Sequence, residues 1–167
     1  MDPAKKKTAL RMIPYGLYVL TSKAADGSST AATVNWVTQA SFEPPLVVVG
    51  VKTDSNANTV VRKAKSFALN ILGKGQGDIA YAYFKPIEDD GKNIGGQPYH
   101  KGITGAPILE VTPAFVECEV VEIVDKGDHA IVVGKVVDAG VSKEPEGRAD
   151  DTILWMKDLG PKLFYGG

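Results

Sequence analysis

The chain has 167 residues and a mass of 17.7 kDa, with 19 Lys+Arg against 20 Asp+Glu and a formal net charge of −1. That length suits one domain, and a hydrophobic fraction of 44% beside a charged fraction of 23% excludes disorder as a global description. The even charge balance, with a pI of about 6.1, argues against a nucleic-acid-coating role, which would leave a basic surplus.

One cysteine, Cys118, excludes an internal disulfide and any cysteine-rich zinc or iron–sulfur site within one chain. His100 and His129 are the only histidines, which leaves few options for a metal. The first 20 residues place a lysine run before apolar residues, as a secretion signal does. Pro14, Tyr15 and Gly16 interrupt the apolar part, however, and no small-residue cleavage pattern follows. The longest apolar run, Leu46–Val51, is strand-sized and too short to cross a membrane. A cytoplasmic protein with no membrane or nucleic-acid partner is the expectation.

In chain order, Pro3 to Met12 predicts a short helix with Pro3 in its first turn, stopped by Pro14. Gly16–Thr21 is rich in β-formers and predicts a strand. Asp26-Gly27 centres a turn over Ala24–Ser29, a strong hairpin signal, and Thr30–Trp36 resumes with β-branched alternation. Leu46–Val51 is nearly continuous in apolar residues, as in a strand buried on both faces. Thr59–Lys65 predicts a helix, Ser66–Leu72 a strand and Gly77–Phe84 a short helix. Lys85–Thr104 holds Pro86, Gly91, Gly95, Gly96, Pro98 and Gly102 and reads as a long loop, either functional or mobile. Strands follow at Pro107–Glu110, Ala114–Val124 and Ala130–Ala139, with a turn at Lys126–His129 between the last two. A final Thr152–Lys157 element leads to Pro161–Tyr165. Many short strands with few short helices predict a closed or partly closed β-barrel. A doubly wound nucleotide fold is disfavoured, because no glycine fingerprint joins a strand to a helix.

Thr33–Pro45 is polar where a strand ought to be hydrophobic, with Asn35, Thr38, Gln39 and Ser41 interrupting it before Pro44-Pro45. Such a segment can set backbone groups, amides and hydroxyls beside a flat heteroaromatic ligand. It can equally be a surface strand and turn. Lys52–Thr59 lies between the apolar strand and the predicted helix. Asp54, Ser55, Asn56 or Asn58 can cap that helix. The first-turn N–H groups, with the hydroxyls of Ser55 and Thr59 and the charge of Lys52, would suit a phosphate. A plain capped helix is the alternative. His129 sits in a tight turn where it can titrate or bond a ligand, though an isolated turn histidine is usually only solvated, and His100 in the glycine-rich loop has the same weakness. Cys118 lies between Glu117 and Glu119, which would raise its thiol pKa, so it reads as a buried small residue. No Ser-His-Asp elbow is visible, nor a spacing suited to two catalytic carboxylates.

Taken together, five blocks in order resemble the flavin reductase family. They are PYGLYVLTS, AATVNWVTQASFEPPLVVVGV, SFALNIL, GAPILEVTPAFVECEV and GDHAIVVGKVV. NWVTQASFEPP and GQGDIAYAYFKP are also similar to the flavin reductase-like modules of diflavin flavoproteins. The resemblance runs from about Ala9 onward. It implies a mainly β fold, an FMN-binding split β-barrel of Greek-key type with a few short peripheral helices, formed by the whole chain as one domain.

Carried over by position, the resemblance implies that Asn35, Trp36, Val37, Thr38, Gln39, Ala40 and Ser41 line the isoalloxazine and ribityl chain. Ser55 and Asn56, with Lys52 and Thr59, would hold the 5′-phosphate. Phe84 and Lys85 would begin a loop near the flavin, often contributed across a homodimer. His129 would lie on the nicotinamide side and serve as the catalytic residue, and Tyr165 would stand where the family often has an aromatic. Trp36 departs from the smaller residue or phenylalanine common there, and its indole would stack on the ring or narrow access to it. The implied activity is an NAD(P)H-dependent flavin reductase, passing hydride from NADH or NADPH to FMN and on to free flavin, oxygen, ferric iron or a redox partner. The alternative is a flavoredoxin-like electron carrier, reduced by a small redox protein, for which the acidic Ile87–Asp90 stretch would offer a docking site. A third reading is a flavin-free binding module.

Overall fold

The two edge strands of the main sheet are consecutive in sequence, and that fact dictates the shape of the molecule. The computed structural model describes all 167 residues. Its helices are α1 (Pro3–Arg11), α2 (Asn56–Ala64) and α3 (Gly77–Ala82). Its strands are β1 (Tyr18–Lys23), β2 (Ser29–Val34), β3 (Val37–Ser41), β4 (Leu46–Lys52), β5 (Ser66–Ile71), β6 (Asn93–Ile94), β7 (Gln97–Lys101), β8 (Pro107–Leu109), β9 (Ala114–Val124) and β10 (His129–Val141). Seven of these form one antiparallel sheet in the order β2-β1-β5-β9-β10-β4-β3. Laid flat, six gaps of about 4.8 Å would separate its edges by roughly 29 Å. Yet only Asn35 and Trp36 join β2 to β3, a reach of about 11 Å. The sheet must therefore curl until its edges meet at Asn35-Trp36. Register shifts at Val133/Gly134 and Val136/Asp138 in β10 help it bend. The fold is mainly β, a split half-barrel with few helices, as the sequence predicts.

The strand alternation feeds two apolar clusters. Leu20, Val49, Val51, Phe67, Leu69, Cys118 and Val132 face inward, where Ala57 and Val61 of α2 close one end of the barrel. Leu17, Val19, Leu72, Ala80, Tyr83, Ile94, Leu109 and Leu154 pack on the other side, under α3 and the small β6-β7-β8 sheet. Val19 and Leu20 are neighbours in β1 yet serve different clusters, as a period of two requires.

Several predicted boundaries differ. Residues 85–104 are not one loop: Gly95 and Gly96, at φ 57° and 80°, make the tight two-residue turn of the β6–β7 hairpin, and β7 then pairs with β8. The glycines there build a turn rather than loosen a loop. Leu46–Val51 is buried on one face only: Val47, Val49 and Val51 are covered, whereas Leu46, Val48 and Gly50 are partly exposed. The reason is that this face opens onto the cleft and the sheet edge described below. The second helix begins at Asn56, three residues before the predicted Thr59, because Ser55 caps it. The final Thr152–Lys157 element is irregular. Isolated bridges tie Gly73 to Ile153 and Gly16 to Trp155, and a 3-10 turn covers Met156–Leu159. No helix is long and apolar enough to cross a membrane.

Candidate functional site

Where the sheet edges meet, a cleft of about 470 Å³ opens between β2, β4, the start of α2, the end of α3 and residues 163–165. Its size falls within the range of about 300–1,000 Å³ typical of small-molecule sites. Eleven of its 17 lining residues are hydrophobic, and Thr33, Asn35, Lys52, Ser55 and His129 supply its polar side chains.

One group is built by α2. Ser55, in extended backbone, accepts from Asn58 N–H at 3.1 Å and donates its hydroxyl to Lys52 C=O at 2.7 Å. The N–H groups of Asn56 and Ala57 follow in the first turn, where a helix has no internal acceptor for them. Lys52 stands beside this turn, its ammonium 3.0 Å from Asp54 and its pKa raised by that carboxylate. Asn56 donates to Ser29 C=O at 3.2 Å, and the Thr59 hydroxyl to Ser55 C=O at 3.4 Å, so both turn away from the cleft.

Beside it lies an aromatic group. The register sets His129 of β10 opposite Lys52 of β4. Trp36 lies on Gly50, where any Cβ would press on the indole at 3.1 Å. Its ring centroid is 4.5 Å from His129 and 5.4 Å from Tyr165. Its Nε1 is buried with no hydrogen-bond partner. Asn35, buried, donates Nδ2–H to Tyr165 C=O at 3.0 Å. His129 Nδ1 is 2.9 Å from an Asp128 carboxylate oxygen and Nε2 is 2.8 Å from the Tyr165 hydroxyl. A carboxylate only accepts, so the neutral ring carries its proton on Nδ1, and Nε2 accepts from the phenol. The His129 hydrogen bond holds the Asp128 carboxyl below its ordinary range. Partial burial raises the Tyr165 phenol. Asp128 C=O in turn accepts from Thr53 N–H and hydroxyl, both at 2.9 Å, which pins this turn to β4.

Of the residues singled out in the sequence, Asn35, Lys52, Ser55, Phe84, His129 and Tyr165 line the cleft, and Trp36 packs in its aromatic group. Val37, Thr38 and Gln39 face a separate apolar depression with Tyr18, Leu46, Leu69, Ile71, Val116 and Val136. Ala40 is exposed and Ser41 half-buried on the same edge strand, and Lys85 is exposed. Thr33, Tyr83, Met156, Leu163 and Phe164 complete the cleft and were not foreseen. The apolar pair Leu163-Phe164 beside Tyr165 was the one available signal. Burial pushes the Cys118 thiol up to about 12, with Glu117 adding to the effect, so Cys118 is an inert core residue. His100 is exposed on β7, away from the cleft.

Residues 10–164 match the model of the flavin reductase like domain, and the chain belongs to that family. It is 28% identical over its full length to a flavin reductase of Pseudomonas putida, covering 91% of that protein. It is 32% identical over 81% of its length to diflavin flavoprotein A 1 of Synechocystis, covering 24% of that chain. The FMN-binding protein of Thermus thermophilus superposes with a TM-score of 0.67 at 27% identity, over 78% of this chain and 72% of that one. The chain spans about half the length of other curated relatives, 42% and 57% for two from Rhizobium meliloti.

Proposed function

We propose that the cleft binds FMN and that the protein is an NAD(P)H-dependent flavin reductase. The observation that carries this reading is the meeting of two chemically different groups of residues in one cleft. Ser55, Lys52 and the free first-turn N–H groups suit a phosphate dianion. Asn35 and the unpartnered Trp36 N–H suit the carbonyl edge of a flat ring, and the His129 Nε2 acceptor suits an N–H beside it. The name of the Thermus thermophilus neighbour supports FMN as the flavin. When bound, flavin supplies the hydride-accepting and electron-releasing chemistry.

The chain supplies position and exclusion. Leu17, Val34, Val51, Tyr83 and Met156 keep the cleft wall apolar and dry. Trp36 limits the depth to which a second planar substrate enters. His129, oriented by Asp128, holds that substrate or tunes the ring beside it. A homodimer completes the site in this reading. The unpaired edge of β3 and the apolar depression beside it support a second copy seated there.

The test is an absorption spectrum of the purified protein, followed anaerobically by NADH and then NADPH. Flavin bands that bleach promptly establish the reductase and its nucleotide. A colourless protein that takes up no added FMN overturns the reading. The match to a diflavin flavoprotein favours one alternative, an electron carrier served by a redox protein. Flavin bands inert to both nucleotides would establish it.

A further inference from the structure

Residues 163–166 do more than run past the cleft, because Leu163, Phe164 and Tyr165 form part of its wall. Their anchors are few and mostly polar. Asn35 holds the Tyr165 carbonyl at 3.0 Å and His129 the Tyr165 hydroxyl at 2.8 Å. Arg11 of α1 donates to the Gly166 carbonyl at 3.3 Å and sets its guanidinium 4.4 Å over the Phe164 ring. Phe164 and Tyr165 stay about half exposed, at 49% and 47%, and no residue from 160 to 167 is buried. A segment held by a handful of directional contacts and little apolar burial opens locally at low free energy.

Two features indicate what takes its place. Tyr165 offers the pocket a backbone carbonyl that accepts from Asn35 and a flat ring whose hydroxyl donates to His129, that ring 5.4 Å from that of Trp36. The Trp36 N–H, buried beside Gly166, receives no acceptor from the segment at all. The segment thus meets part of the site's hydrogen-bonding capacity and leaves one buried donor empty.

We propose that residues 163–166 are an internal ligand: a strap in which Tyr165 holds the place of a flat, carbonyl-bearing heteroaromatic ring, and which that ring displaces on binding. This rests on the flavin reading above, which supplies two rings of that chemistry, the isoalloxazine and the nicotinamide. An incoming ring takes over the Asn35 N–H and adds the Trp36 N–H that the strap leaves unmade. Arg11 is the latch. It holds the strap through Gly166 and Phe164 and does not line the cleft, so it sets how often the strap is shut without touching the ligand. A strap shut nine-tenths of the time lowers apparent affinity roughly tenfold.

The experiment titrates FMN, and then NADH, into the full chain, Arg11→Ala and a chain stopped after Lys162, reading tryptophan fluorescence. Tighter FMN binding in both variants, by about tenfold, makes the isoalloxazine the displacing ring. Unchanged FMN binding with NADH tighter by a similar factor makes it the nicotinamide. Equal affinities for both ligands in all three proteins overturn the strap and leave the flavin reading standing. Weaker binding in the variants also overturns it, by making residues 163–166 a fixed part of the site. If none of the three takes up FMN, the flavin reading falls and the strap falls with it. Should the shortened chain fail to fold, Arg11→Ala carries the same test, since Arg11 lies on a helix with no buried residue.

Discussion

His129 stands directly opposite Lys52 in the antiparallel ladder between β10 and β4. Cross-strand partners project to the same face, so an imidazole and an ammonium share the rim of the cleft, flanked by Asp128 and Asp54. The two groups are 77 positions apart in sequence, from 52 to 129, and only strand register makes them neighbours.

Neighbours in space, the two residues are assigned different roles, and substituting His129 tests them. His129→Ala is expected to slow reduction by NAD(P)H while leaving FMN affinity within a few-fold. Stopped-flow kinetics on the FMN-loaded protein reads the first, and fluorescence titration the second. An unchanged reduction rate would remove His129 from the catalytic machinery.

Ser55 has both a folding role and a proposed binding role, and two substitutions separate them. Ser55→Ala removes the helix cap, at about 1 kcal/mol, whereas Ser55→Gly costs only a few tenths. Both remove the hydroxyl proposed for the phosphate. Urea denaturation of the ligand-free protein should therefore distinguish the two variants. FMN binding should weaken about tenfold in both, as for one charge-assisted hydrogen bond of about 1.5–3 kcal/mol.

Acid should loosen the small sheet from the barrel. Asp89 is nearly buried and faces Lys23 at 2.7 Å, with the Tyr99 hydroxyl donating to it at 3.0 Å. Desolvation by itself would raise its pKa. The hydrogen bonds from Lys23, Gly91 N–H, Ser29 and Tyr99 outweigh it and bring the carboxyl down to about 2. A folded pKa below the unfolded one means stability that is present above pH ~4 and lost as pH falls toward 2. The amount is about 2 kcal/mol. Asp89→Asn should lower stability at pH 7 and flatten its dependence between pH 4 and 2. Parallel denaturation curves of the two proteins across that range would refute the assignment.

Glu117 is fully buried, and its carboxylate accepts from Ile103 N–H at 2.9 Å, Thr104 N–H at 2.7 Å and the Thr104 hydroxyl. It ties the turn after β7 to β9, and a Cβ at Gly102 would run into it. Glu117→Gln presents an N–H₂ where donors already converge, so a loss of about 2–3 kcal/mol is expected. Thermal unfolding reads that loss, and a melting temperature unchanged from wild type would contradict the role.

Local chemistry made several elements legible in advance. The β9 bounds Ala114–Val124 follow from β-branched and aromatic residues interleaved with glutamates between Pro113 and the turn at Lys126–Asp128. The polar turn before α2 offered Asp54, Ser55, Asn56 and Asn58 as caps, and the structure selects Ser55. The polar interruption of Thr33–Pro45 and the turn before His129 were also visible as residue types out of place in a plain strand. The β6–β7 hairpin was missed because glycines signal a turn and a loose loop alike until their φ angles are known.

By itself the sequence indicated a mainly β fold, a short set of candidate caps for α2 and the residue types that line the cleft. Tertiary structure decided which of them meet. Curling of the sheet put Asn35 and Trp36 at the closing seam and left Val37–Ser41 on an outer edge. Ladder register set His129 against Lys52, and the return of the 161–167 segment across the cleft brought Tyr165 to both Asn35 and His129. These are contacts between residues 36 to 130 positions apart. Their cost is loop closure, which no local propensity encodes, and they form only when burial of the whole sheet offsets it.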